Sequence, residues 1–382
     1  MNVNNAAPLT TTGNLDSSEA VASQSDPTPT ATSRRQFLLE ATVVAGALAG
    51  CARSESPRVT DTAKAVVGAA HSTANPDSRT DTSLHHAMPA SSATQGTTNA
   101  ASIALHRFDP ALPPVSAERT TRLHFTARET PVRVREDTVV AAWTFEGDIP
   151  GPIVHVRQGD TVEFTLTNAG QIPHSMDFHA AQIDPKVAFR SVVPGQSVTY
   201  TFKPKYAGVF LYHCGTAPVL MHLGSGMFGA LVVDPVAPLR PAKEFVLVQS
   251  EFYLGTPVNG VAPFDYNKML GTLPDLFAFN GRPSQYQAAP IRVKRGDLVR
   301  FYVANAGPTH PCAFHVVGEQ FDTVYLGAPP ASAIHGVQTF GVPAGGAMIF
   351  EMQADIPGEF VFVNHAFGHG QKGAIGTLVV ED

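Results

Sequence analysis

Cysteine is scarce in this sequence: Cys51, Cys214 and Cys312 are the only three in 382 residues, an odd number set far apart. That excludes a disulfide framework, so each thiol needs its own account. Charge is also scarce. Charged residues make up 15% of the chain, the formal net charge is −6, and no run of five or more basic residues occurs. Nothing therefore marks the chain for nucleic acid. Long apolar runs are missing too. The apolar stretch ending at Cys51 is about 15 residues and includes Glu40, too short for a stable membrane span. No long helical period is found, and no His-x-His pair occurs anywhere.

What is present falls into blocks. Residues 33–39 read SRRQFLL, and ALAGC closes the apolar stretch at 47–51. Paired arginines before a short apolar segment resemble a twin-arginine export signal, and ALAGC resembles a lipoprotein cleavage box. Residues 1–51 are therefore expected to be an export signal. Cys51 is expected to carry a lipid anchor holding the chain on the outer side of the cytoplasmic membrane, facing the periplasm or cell surface. Residues 52–107 contain no Phe, Tyr or Trp and are rich in Ser, Thr, Ala and Asp. Such a stretch cannot bury enough apolar surface to offset its ordering entropy, so 52–114 is expected to be a disordered linker.

From about residue 115 short alternating runs take over. In TVEFTLTNAG the residues Val162, Phe164 and Leu166 alternate with polar ones, the period of a half-buried strand. SVTYTF at 197–202, LVRFYVANAG at 298–307 and FVFV at 360–363 read the same way, punctuated by Gly and Pro. The expected fold is all-β, sandwich or barrel. An internal repeat divides it: VRQGDTVEFTLTNAG at 156–170 matches VKRGDLVRFYVANAG at 293–307, DFH at 177–179 matches AFH at 313–315, and GMFGALVVDP at 226–235 echoes GAIGTLVVED at 373–382. Two domains of one ancestry are expected, 115–236 and 243–382, joined by PVAPLRPAKE at 235–244.

The chemistry concentrates in YHCGTAPVLMHLGSGM. Two imidazoles, a thiolate and a weak axial thioether form the ligand set of a blue copper centre. Cys214, His222 and Met227 supply three of these, and PHSMDFH offers His174 as the fourth. Neighbours on an extended strand point to opposite faces. If Cys214 faces that centre, His213 faces away and is free for a second metal. The same parity separates His174 from Asp177 and His179. Asp177, His179 and His213 thus form a partial second site. His365 offers a third imidazole and His315 a nearby acid or base. The second domain has no Cys or Met matching Cys214 and Met227, Ala374 standing in the place of the Met. Cys312 reads as a buried free thiol, and His369, which aligns with His222, as a relic or packing residue.

These motifs resemble the copper-containing nitrite reductases, two-domain cupredoxins that form homotrimers. The resemblance covers about 115–382. It implies two tandem Greek-key cupredoxin β-barrels and one type 1 and one type 2 copper per subunit. His174, Cys214, His222 and Met227 would hold the type 1 copper. His179, His213 and His365, the last from the adjacent subunit, would hold the type 2 copper. Asp177 and His315 would be catalytic, and Val317 would shape the substrate pocket. An electron from a small cupredoxin or a cytochrome c would enter at the type 1 copper and pass through Cys214–His213 to the type 2 copper, where nitrite would become nitric oxide and water. Two rival readings remain at this level. A two-domain multicopper oxidase needs the His-x-His pairs that this chain lacks. A non-enzymatic blue-copper carrier would not need Asp177, His179, His213, His315 and His365 together.

Overall fold

The computed structural model describes residues 100–382. The export signal, Cys51 and most of the tether lie outside the described residues.

The chain is all-β, as the alternation predicts. Among the described residues no helix exceeds six residues. The first barrel is two packed sheets. One contains Thr138–Phe145, Thr120–Arg135, Thr161–Asn168 and Ser197–Phe202; the other contains Val154–Arg157, Phe228–Asp234, Gly208–His213 and Asp177–Phe178. Thr161–Asn168 alternates as expected, with Val162, Phe164 and Leu166 fully buried between half-buried polar neighbours. Phe164 meets Phe178 across the sheets at 5.0 Å and Phe125 at 5.5 Å, both edge to face. Burying a ring of this size stabilises the fold by about 1.5–3 kcal/mol.

The second barrel repeats the plan, with Lys243–Phe252, Leu298–Gly307, Ala347–Gln353 and Phe321–Tyr325 in one sheet and Ile375–Glu381, Gly358–Asn364 and Cys312–Val316 in the other. In both barrels the long strand that opens the domain runs parallel to the strand of the Asn-Ala-Gly repeat.

Three details depart from the sequence reading. Leu298–Gly307 is buried on both faces rather than one. Val299, Phe301 and Val303 enter its own barrel's core, while Tyr302 and Ala304 join Val232, Phe228 and Leu211 of the first barrel in a shared core. The barrels are thus fused along a face, and Val261–Ala262 from the second half of the chain adds an edge strand beside Thr138–Phe145. The linker expected to run to 114 ends sooner. Phe108 N donates to Gln285 Oε1, Val246 N to Pro110 O and Leu112 N to Glu244 O. The part of Lys243–Phe252 that Leu276–Phe279 leaves unpaired offers backbone partners to Pro110 and Leu112, and Gln285 holds Phe108; the composition of the tether reveals neither.

Candidate metal centres

The strand Gly208–His213 pairs antiparallel with Phe228–Asp234, and at its end Asp177 lies opposite His213. Cys214 follows at once, with its N–H donating to Met227 O at 3.0 Å. Between them the chain forms a short helix, Val219–Gly224, instead of a plain loop. This turn carries His222 back over the strand end. Gly226 then adopts φ +116°, where a Cβ would lie 2.6 Å from the Ile149 side chain, so only glycine returns the chain to Met227 here.

His174, Cys214 and His222 converge in the interior, each with no more than 3% of its surface exposed. The Nδ1 atoms of His174 and His222 lie 3.2 Å apart, and Cys214 Sγ is 3.3 Å from His222 Nδ1. Ser175 N–H donates to Sγ at 3.3 Å. Burial disfavours a thiolate, but hydrogen bonds from His174 and His222 and the His222 charge outweigh it and hold Cys214 well below the usual thiol range. His174 is pushed up: burial opposes its charged form, and Cys214 and Glu129 more than compensate. A thiolate facing two imidazoles is a donor set suited to a soft first-row metal, which would take the place of the shared protons. Met227 is fully buried beside it, tied to His222 by its backbone.

The second cluster is Asp177, His179 and His213, whose ligand atoms lie within 4.8 Å of one another. His213 Nδ1 is 2.9 Å from Cys214 O, and a carbonyl only accepts, so Nδ1 carries the proton and Nε2 is left free. That Nε2 is 3.0 Å from His179 Nε2. Burial and the neighbouring His213 charge push His179 below the usual imidazole range, against the pull of Asp177. Two imidazole nitrogens aimed at one point, with a carboxylate beside them, could hold a cation.

One peptide bond therefore separates two clusters that face different ways. His315 and His365 join neither. Their rings stack edge to face at 5.0 Å on the second barrel, and His315 Nδ1 donates to Gln338 O at 2.6 Å. Val317 stands close by in sequence and is 47% exposed.

Family profiles described as multicopper oxidase match residues 126–238 and 258–382. The copper-containing nitrite reductase of Neisseria meningitidis serogroup A is 40% identical over 247 residues, 63% of this chain and 64% of that protein. That of Pseudomonas chlororaphis is 30% identical, over 64% of this chain and 74% of that protein. A solved copper nitrite reductase from Nitrosomonas europaea superposes with a TM-score of 0.65 at 34% identity, covering 69% of this chain and 94% of that one. The chain belongs to the copper-containing nitrite reductase family. It spans a little under two thirds of the length of the Neisseria relatives.

Within this family member, two neighbours of the buried cluster escape a reading by motif. Glu129 Oε1 lies 3.2 Å from His174 Nε2, fixing the ring from behind. Burial raises its carboxyl, and bonds from His174 and from Gln171 N–H reverse this and bring it below the usual range. Trp143 packs on His222 at 4.7 Å between ring centres. Neither has a spacing that links it to the ligand motif. Only the parallel pairing of Thr120–Arg135 with Thr161–Asn168 brings Glu129 to residue 174.

Proposed function

We propose that this chain reduces nitrite to nitric oxide, consuming one electron and two protons and releasing water. The observation that carries the reading is the adjacency of His213 and Cys214 in separate clusters, with Asp177 beside the second. Copper at both places would supply one-electron transfer and, at the second, an electrophilic position for nitrite. His174, Cys214, His222 and Met227 are the proposed ligands of the first. His179 and His213 are those of the second, completed by His365 from an adjacent subunit in a homotrimer.

The protein's own part is wiring and protons. The Cys214–His213 link is the shortest covalent path between the clusters. Asp177 keeps its carboxylate next to the two imidazoles, within reach of an oxygen leaving nitrite. His315 commits Nδ1–H to Gln338 O, which leaves Nε2 to exchange a proton, and Val317 presents an apolar wall. A small cupredoxin or a cytochrome c is the proposed donor, and Cys51 the proposed lipid anchor on the exported chain. A multicopper oxidase is less favoured: the described residues hold two groups of three potential ligands rather than the imidazole-rich cluster a trinuclear site requires. Purified protein given nitrite and a one-electron reductant is expected to release nitric oxide with two coppers bound per chain. Oxygen consumption with four coppers, or redox cycling with one and no nitric oxide, would replace the proposal.

A further inference from the structure

The end of the second barrel repeats the backbone plan of the first barrel's buried cluster, with both imidazoles kept but half-buried rather than buried. His310 and His369 stand where His174 and His222 stand; their ring centres are 5.0 Å apart at 68°, against 5.2 Å and 79° in the first barrel. Asn364 N–H donates to Ala374 O at 3.0 Å, as Cys214 N–H does to Met227 O, so Asn364 occupies the thiolate position and Ala374 the thioether position. Gly373 has φ +121° where Gly226 has +116°. Phe277 N–H donates to Lys372 O as Trp143 N–H does to Ser225 O, both at 3.0 Å, and Phe277 stacks on His369 at 4.0 Å where Trp143 meets His222 edge to face at 4.7 Å. Glu251 accepts from the N–H groups of Thr309 and His310, as Glu129 accepts from that of Gln171.

The difference is the central side chain. Asn364 Oδ1 accepts from the N–H groups of Ala313 and Ala366, which only donate, so its amide nitrogen must point the other way. That nitrogen donates to Gln249 Oε1 at 2.7 Å and Pro311 O at 3.1 Å, and lies 3.1 Å from His369 Nδ1. The amide has two hydrogens for three acceptors in reach, and it stands directly against the nitrogen with which His369 would ligate. Pro311 stands in the place of Ser175 and has no N–H to offer a thiolate.

We infer that the second barrel holds a sealed metal site: the imidazole pair keeps the ring separation of the first cluster, the Asn364 amide is the plug, and replacing it with an anionic donor opens the site to a divalent first-row ion. The inference rests on the reading of His174, Cys214 and His222 as metal ligands. The test uses the full chain and cobalt(II), read by thiolate-to-metal absorption and by metal per chain. The parent is expected to show the thiolate band, and C214S to lose it. C214S/N364C/A374M should regain the band with one more cobalt per chain than C214S. Adding P311S should tighten binding about tenfold, the lower end for a partner outside the ligand set. A folded triple variant with no band overturns the inference. A parent with no band overturns the reading of the first site instead. Because loss of the Asn364 hydrogen bonds could prevent folding of the cysteine variant, N364D offers a gentler opening that keeps the Oδ1 contacts. It should take up one zinc per chain beyond the parent, and N364D/H369A should not. N364D without added zinc, or a parent whose surplus metal is removed by H369A, contradicts the seal.

Discussion

Each barrel buries one cysteine completely, and the two thiols behave in opposite ways. Cys312 lies among Phe314, Val342 and other apolar side chains, and burial alone pushes its thiol far up. Cys214 is just as inaccessible, yet the two imidazoles hold its thiol well below the usual range, and the Ser175 N–H donates to the same sulfur. Burial sets the cost of the charge, and the donors around it decide whether that cost is met. A buried cysteine is a ligand only where the chain also supplies the donors.

That contrast is sharpest in substitution. Cys214→Ala should abolish the blue absorption and reduce donor-driven nitrite turnover to background, whereas Cys312→Ala should leave spectrum and turnover unchanged and cost about 1 kcal/mol of stability in denaturant titration. If Cys312→Ala altered the spectrum, the two thiols would not differ as described. Next in size, Asp177→Asn should keep both coppers and lower turnover roughly 10²–10⁴-fold, the range for a lost proton-transfer group; full activity would remove Asp177 from the chemistry. Glu129→Gln removes the anion behind His174. It should weaken metal binding at the first cluster by about 10–100-fold and raise its reduction potential, leaving the second cluster's metal content intact.

The smallest effect lies away from both clusters. His155 Nδ1 donates to Pro113 O, and its Nε2 lies 2.9 Å from Asp234 Oδ1. Burial opposes the charge, but Asp234 and Pro113 raise the imidazole above its ordinary value. A raised folded-state value means that the stabilisation is complete below pH of about 6.5 and fades as pH rises through the folded value. His155→Gln should therefore lower Tm more at pH 5.5 than at pH 9, corresponding to about 1 kcal/mol at the acid end. An equal loss at both values would show that only packing is involved.

Much of this was legible in the residues. The alternation of Val162, Phe164 and Leu166 gave the strand and its buried face because a sheet's period is a local property. The parity of residues 213 and 214 separated the two clusters for the same reason. What failed to show was whatever depends on a distant neighbour. Leu298–Gly307 looks half-buried until the other barrel covers its second face, and residues 108–112 look unattached until the edge of Lys243–Phe252 is beside them. Glu129 reaches His174 only through strand pairing. His310 is a different case. It lies 136 residues after His174, the offset that matches AFH to DFH, so the repeat already paired it with a ligand position.

The central claim is that neighbouring side chains of one strand serve two separate metal sites. Copper per chain in the parent, in Cys214→Ser and in His213→Ala tests it most directly. The account predicts two, one and one, with the blue absorption lost only in Cys214→Ser. Loss of both coppers in either variant, or of neither, would contradict it.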